Sequence, residues 1–277
     1  MTLTSTAEHD SIGVRKRTNE RSLRSLVGDT ATLTNRLLRR WTRDPATTAE
    51  TVLVPVAFLV TLNIVLGDGI ARFSGHSALY GSVPLVAMVA ATQGATVGGL
   101  GLMRERDDGL LARLWVLPIN RAAGFIARIA AEAARIVLAT AALMITGLIL
   151  GMRFHEGILA AICWLFVPCI FGLAFFIGVA AVALYAAKAI VVEATALVSG
   201  LFMFFSTGFV PLEAYPEWIR PAVEHQPLSY TVDVMRGLSM GGPVLAPFVG
   251  LVTWSAIIAG ICLVPAILGY RRASMRE

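Results

Sequence analysis

A chain of 277 residues that is 56% hydrophobic and 15% charged lies far from a soluble domain, in which about a quarter of residues are charged. The formal charge of +5 does not point to nucleic acid, because the basic residues flank long apolar runs, a membrane-surface pattern. Cys163, Cys169 and Cys262 all sit inside apolar runs without metal-ligand spacing, so they read as small hydrophobes and imply no disulfide framework.

Residues 1–21 are polar and contain no apolar stretch; the expectation is a disordered cytoplasmic tail without a cleavable signal peptide. Residues 22–43 repeat Leu23, Leu26, Val27, Thr30, Leu33, Leu37 and Trp41 at helical spacing, with Arg24, Arg36, Arg39, Arg40 and Arg43 mainly off that stripe. This is an amphipathic helix for the membrane interface, or else for a soluble partner. Asp44-Pro45 ends it, since the residue before proline avoids the helical region.

Apolar runs follow near 51–67, 79–103, 134–152, 158–187, 189–210 and 244–269. From Ile158 to Ala187 there is no charge. A hydrocarbon core of ~30 Å needs about 20 helical residues, and backbone groups in lipid must be paired internally, so the runs are read as six transmembrane helices of an all-α membrane protein. With the N-terminus in the cytoplasm, 19 basic residues fall inside and four outside: Arg72, Arg153, Arg220 and Arg236. The positive-inside rule selects that orientation, and an even number of spans returns the C-terminus to the cytoplasm.

Three features lie between or within the runs. On the second, Gly94, Gly98, Gly99 and Gly101 form a small-residue face for close helix packing, within one subunit or between subunits. Segment 104–118 opens with Arg104, Glu105, Arg106, Asp107 and Asp108, then Gly109, Leu110, Leu111, Leu114, Trp115 and Pro118. It is either a short helix that docks in a groove of a soluble subunit or a solvated loop whose arginines set topology. Arg128, Glu132 and Arg135 are spaced for helical ion pairs, close enough to the interface to snorkel.

Segment 206–243 is expected outside. Pro211, Pro216, Pro221 and Pro227 break it into pieces, and Tyr215, Trp218 and Tyr230 suit the headgroup level. Two short re-entrant helices before the last span fit it, as does an ordinary loop. Phe202, Phe204, Phe205 and Phe209 cluster at the end of the fifth run, for lipid or core packing.

Enzymatic signatures are absent. No G-x-x-x-x-G-K-[ST] loop exists, and neither Lys16 nor Lys188 follows a glycine-rich turn, so the chain lacks the cradle that holds ATP phosphates. There is no H-E-x-x-H and no G-x-S-x-G, and no chain of intramembrane acids for a proton relay. A secondary transporter or a non-transporting anchor protein are the competing classes.

These features together resemble an ABC type-2 (ABC-2) transporter permease of the daunorubicin-resistance kind, over residues ~30–275 of a single membrane domain 22–277. The helix ending at Trp41-Thr42-Arg43-Asp44-Pro45 resembles that family's connecting helix, and Met103-Arg104-Glu105-Arg106 through Leu117-Pro118 its coupling region. Pro211-Leu212, Pro216, Trp218-Ile219, Pro221, Gln226-Pro227, Ser229-Tyr230 and Arg236 resemble its extracellular re-entrant region. Within the family the likeness is to mycobacterial permeases associated with phthiocerol dimycocerosate or drug export. The resemblance implies an ATP-binding cassette exporter in the bacterial inner membrane, carrying an amphipathic drug or complex lipid outward. It implies a cytoplasmic ATP-binding subunit, a second permease subunit and membrane lipid as partners, with ATP and Mg held by the ATPase and none by this chain. Arg104, Glu105, Arg106, Asp107, Leu111 and Leu114 would couple to the ATPase. Pro211, Pro216, Trp218, Pro227 and Tyr230 would form an extracellular gate. No metal site and no catalytic residue is expected.

Overall fold

A charge interrupts an apolar run without interrupting a helix, and this single fact moves most of the boundaries. The computed structural model describes residues 23–75, 77–112, 120 and 122–275, whose regular structure is all helical. The tail 1–21 and residues 113–119, Leu114 among them, lie outside the described residues. The helices are α1 (Leu23–Thr42), α2 (Pro45–Ser74), α3 (Leu79–Asp107), α4 (Ala123–Ile149), α5 (Gly157–Tyr185), α6 (Ala189–Phe204), α7 (Arg220–Glu224), α8 (Pro227–Met240) and α9 (Leu245–Ser274), with a 3₁₀ turn at Leu212–Ala214.

Among the described residues, five helices are long and apolar enough to cross a membrane, with Thr48–Arg72 the crossing part of α2. The sixth, α6, is a shorter apolar helix of 16 residues, about 24 Å at 1.5 Å per residue. The first span therefore runs past Asp68, beyond the apolar stretch 51–67. The helix of the third span begins at Ala123, eleven residues before the apolar run, and so contains Arg128, Glu132 and Arg135. Conversely, α6 stops six residues short of the run's end at Val210, because the Ser206 hydroxyl turns back to the Met203 carbonyl (2.7 Å) and Gly208 presses its backbone against Gly81 of α3.

Helix α3 is the axis of the bundle, in contact with α2, α4, α5, α6 and α8. Its glycines make this possible. A Cβ at Gly98 or Gly99 would press on Phe176 or Val179 of α5, so that part of the small-residue face packs within the subunit, while Gly101 faces open space. Helix α9 lies chiefly against α5, and α1 lies against α4. Two apolar clusters fill the interior. One, toward the α8 end, holds Leu85, Met88, Leu143, Trp164, Met235 and Leu251; the other, toward the end of α3, holds Leu102, Leu111, Phe125, Val179 and Tyr270.

Helix α1 and α4 run side by side in the same direction: Asp29 accepts from the Asn120 N–H (2.9 Å), Thr34 reaches the Ala127 carbonyl (3.4 Å), and Trp41 lies under Arg135. The amphipathic stripe of α1 is thus half-buried on its own bundle, with Val27 left exposed and the arginines outward. Phe202, Phe204 and Phe205 are exposed on the bundle surface, whereas Phe209 packs into the core.

Candidate coupling end and outer gate

At the end of the bundle that carries the charge cluster, α3 closes at Gly109, whose φ of +68° is a left-handed conformation that glycine adopts at no steric cost. Glu105, on the last turn of α3, is the hub. It accepts from Arg128 of α4 and lies 3.3 Å from Arg40 of α1, so one carboxylate ties three helices together. Its side chain is only 14% exposed. Arg106 also turns inward. Its Nη1 donates to the carbonyls of Ala183 (2.9 Å), Leu184 (3.1 Å) and Ala186 (2.9 Å) at the end of α5. Asp107 holds the other edge of the guanidinium, 2.8 Å from both Nε and Nη2. Leu111 is buried in the apolar cluster toward the end of α3. Of the six coupling candidates, Arg104 and Asp107 therefore present themselves to solvent, Glu105, Arg106 and Leu111 hold the bundle together, and Leu114 lies outside the described residues.

Deeper in the bundle, Glu132 and Arg135 are buried rather than snorkelled to the surface. Arg135 donates Nε to Glu132 at 3.0 Å, shares a second bond with the same carboxylate, and reaches the Ala90 (3.4 Å) and Ala91 (3.3 Å) carbonyls of α3. Its guanidinium lies 5.8 Å from the Trp41 ring centroid. A Cβ at residue 94 would fall on the guanidinium, so Gly94 is the socket for this arginine. Sequence spacing reveals the pair on α4 but not the socket on α3.

At the opposite end, segment 206–243 folds back as the 3₁₀ turn, α7 and α8. Pro227 stands in the first turn of α8, where a missing N–H costs nothing. Leu228, Val232, Val234 and Met235 bury the helix against α3, α5 and α9. The segment touches α6 through polar groups at its end: Tyr215 Oη donates to the Phe204 and Ser206 carbonyls (both 3.1 Å), and Gln226 donates to the Phe205 carbonyl. Trp254 of α9 donates its indole N–H to the His225 carbonyl at 2.7 Å, and Tyr230 lies over Gly250. Pro216 is exposed at the head of a turn, and Trp218, 80% exposed, faces outward rather than closing anything.

Between this cap and the ends of α2 and α3 lies a cavity of about 410 Å³, lined by Ile70, Gly81, Pro211, Glu213, Asp233 and Arg236 among others. Asp233 accepts from Thr207 Oγ1 (3.0 Å) and pairs with Arg236 (3.3 Å), which also donates to the Thr207 carbonyl (2.7 Å). Burial pushes the Asp233 carboxyl above its ordinary range, against the opposing pull of Arg236 and Thr207. Among the described residues no group of His, Cys, Asp and Glu could hold a metal ion.

A many-span helical bundle, bound together by charges at one end and capped by short helices at the other, is that of an integral membrane protein. The model of the ABC-2 type transporter family matches residues 29–240. The chain is 48% identical over 256 residues to the probable doxorubicin resistance ABC transporter permease protein DrrC of Mycobacterium tuberculosis, in strains CDC 1551 / Oshkosh and H37Rv alike, covering 92% of this chain and 93% of that one. It is 27% identical over 214 residues to the daunorubicin resistance ABC transporter permease protein DrrB1 of Streptomyces coeruleorubidus, covering 76% and 75%. The chain belongs to the ABC-2 type transporter family and is a permease subunit for export, not itself an ATPase.

Proposed function

We propose that this permease carries an amphipathic drug or complex lipid out across the bacterial plasma membrane, paired with a second permease subunit and driven by cytoplasmic subunits that hold ATP and Mg. Both chain ends face the cytoplasm in this reading, which the distribution of 19 basic residues against four supports. The observation that carries it is the charge-tied end of the bundle. Glu105 joins α1, α3 and α4, so a push on the exposed charges Arg104 and Asp107 moves three helices as one body. Residues of the cap, Pro211, Pro227 and Tyr230 foremost, close the outer end, and cargo leaves sideways past α2 and α6, whose apolar side chains are largely exposed. A drug such as doxorubicin enters the proposal through the name of the mycobacterial relative.

The test is drug accumulation in cells that express this chain with its cytoplasmic ATP-binding subunit. Doxorubicin accumulation should fall when both subunits are present, and return to the control level when the phosphate-loop lysine of the ATPase is replaced. Equal efflux without a working ATPase would contradict the reading.

A further inference from the structure

We infer that Arg106 is the positioning residue that carries movement of the coupling segment into α5 and the α5–α6 joint, with Asp107 holding its guanidinium in register. The inference rests on the exporter reading above and assigns one side chain a role within it. Helix ends leave their last carbonyls without intrahelical partners, and in a largely apolar bundle each needs a donor. At the end of α5 the chain turns sharply: Ala186 is extended (φ −63°, ψ 137°) and its N–H bonds back to the Val182 carbonyl at 2.8 Å. That leaves Ala183, Leu184 and Ala186 facing one nitrogen of Arg106, all within 3.1 Å.

Three features make this a transmission contact rather than a surface cap. The arginine side chain is 12% exposed, so water does not compete for its bonds. Its donors are charged, and charge-assisted bonds are about twice as strong as neutral ones. Its sequence neighbours include the exposed Arg104 and Asp107, so the same half-turn of α3 meets solvent on one side and grips α5 on the other. Beyond the grip, α5 lies against α9, and the exposed Ala187-Lys188 link leads straight into α6. Displacement of the end of α3 is thereby delivered to the two helices that continue from that joint. Asp107 fixes the fork from the solvent side, where a partner's side chain is able to compete for it.

The experiment uses the purified permease–ATPase complex with Cys163, Cys169 and Cys262 replaced by serine and Ala187→Cys as reporter. Maleimide labelling is compared without nucleotide and with ATP plus vanadate. The parent should change its labelling rate several-fold on trapping. R106Q should abolish that change while the complex still copurifies and hydrolyses ATP. R106K, whose ammonium is able to donate to the same carbonyls, should restore most of it, which a residue that merely fills space would not require. Should R106Q fail to assemble, D107N decides, because it keeps the arginine but loosens its orientation; the nucleotide-dependent change should then shrink at equal ATPase occupancy. An undiminished response in R106Q, or in D107N where R106Q does not assemble, overturns the inference. So does loss of copurification with a full response in the residual complex, the signature of a mere contact residue. A parent with no nucleotide response overturns the exporter reading and the inference together.

Discussion

Arg135 is held by groups of three helices, α1, α3 and α4. An ion pair buried in a membrane bundle persists only when every donor finds an acceptor, and here Nε, Nη1 and Nη2 all do. Removing one partner of such a pair leaves an uncompensated buried charge, at a cost on the order of 3–5 kcal/mol, whereas replacing both by apolar groups of similar volume is far milder. Glu132→Gln should therefore lower the thermal unfolding midpoint of the purified protein in detergent more than the double replacement Glu132→Leu/Arg135→Met does. A double variant less stable than the single one would mean that the pair is worth more than its desolvation cost. Gly94→Ala should resemble the single variant, because the added methyl occupies the space of the guanidinium. In the sequence, Glu132 and Arg135 were visible as a helical pair; their depth was not, because it depends on a glycine 41 positions away on another helix.

The cap formed by segment 206–243 belongs to the scale of elements. Its prolines announce that no single helix spans 206–243, and the structure bears out short helices in their place. What sequence could not supply was the surface on which they rest. Helix α8 rests on α9 and is set against α3 and α5 as well, and α6 is met chiefly through hydrogen bonds at its end. Apolar residues such as Leu228 and Met235 declare that they will be buried without declaring against what. The linkage of this cap to pH follows from Asp233. Its carboxyl binds a proton more tightly packed than free, since burial raises its pKa. The contribution to packing is therefore fully present below the ordinary carboxylate range, is lost as pH rises through the raised value, and is gone at neutral pH, where the ionised group is desolvated. Amide exchange of residues 227–240, corrected for intrinsic rate, should show more protection at mildly acidic than at neutral pH, and Asp233→Asn should flatten that difference. Protection that rises toward neutral pH would mean that the Arg236 pairing outweighs burial.

For the whole molecule, the sequence made the class plain and left the mechanics hidden. Uncharged runs such as 158–187 leave only a membrane solution, and membership of the ABC-2 family as a permease subunit gives the motor to another chain. The coupling candidates differ in direction: Arg104 and Asp107 face out, while Glu105 and Arg106 bind α1, α4 and α5 through contacts 23 to 80 residues apart in sequence. Contacts across such separations leave no local signature. On the exporter reading, this bundle moves cargo only when a separate ATPase drives it. The direct measurement is doxorubicin transport into inside-out proteoliposomes that hold this permease alone, the permease with its ATPase, or the permease with an ATPase lacking its phosphate-loop lysine. ATP-dependent uptake is expected in the second preparation and none in the other two. Uptake by the permease alone under an imposed proton gradient would contradict it.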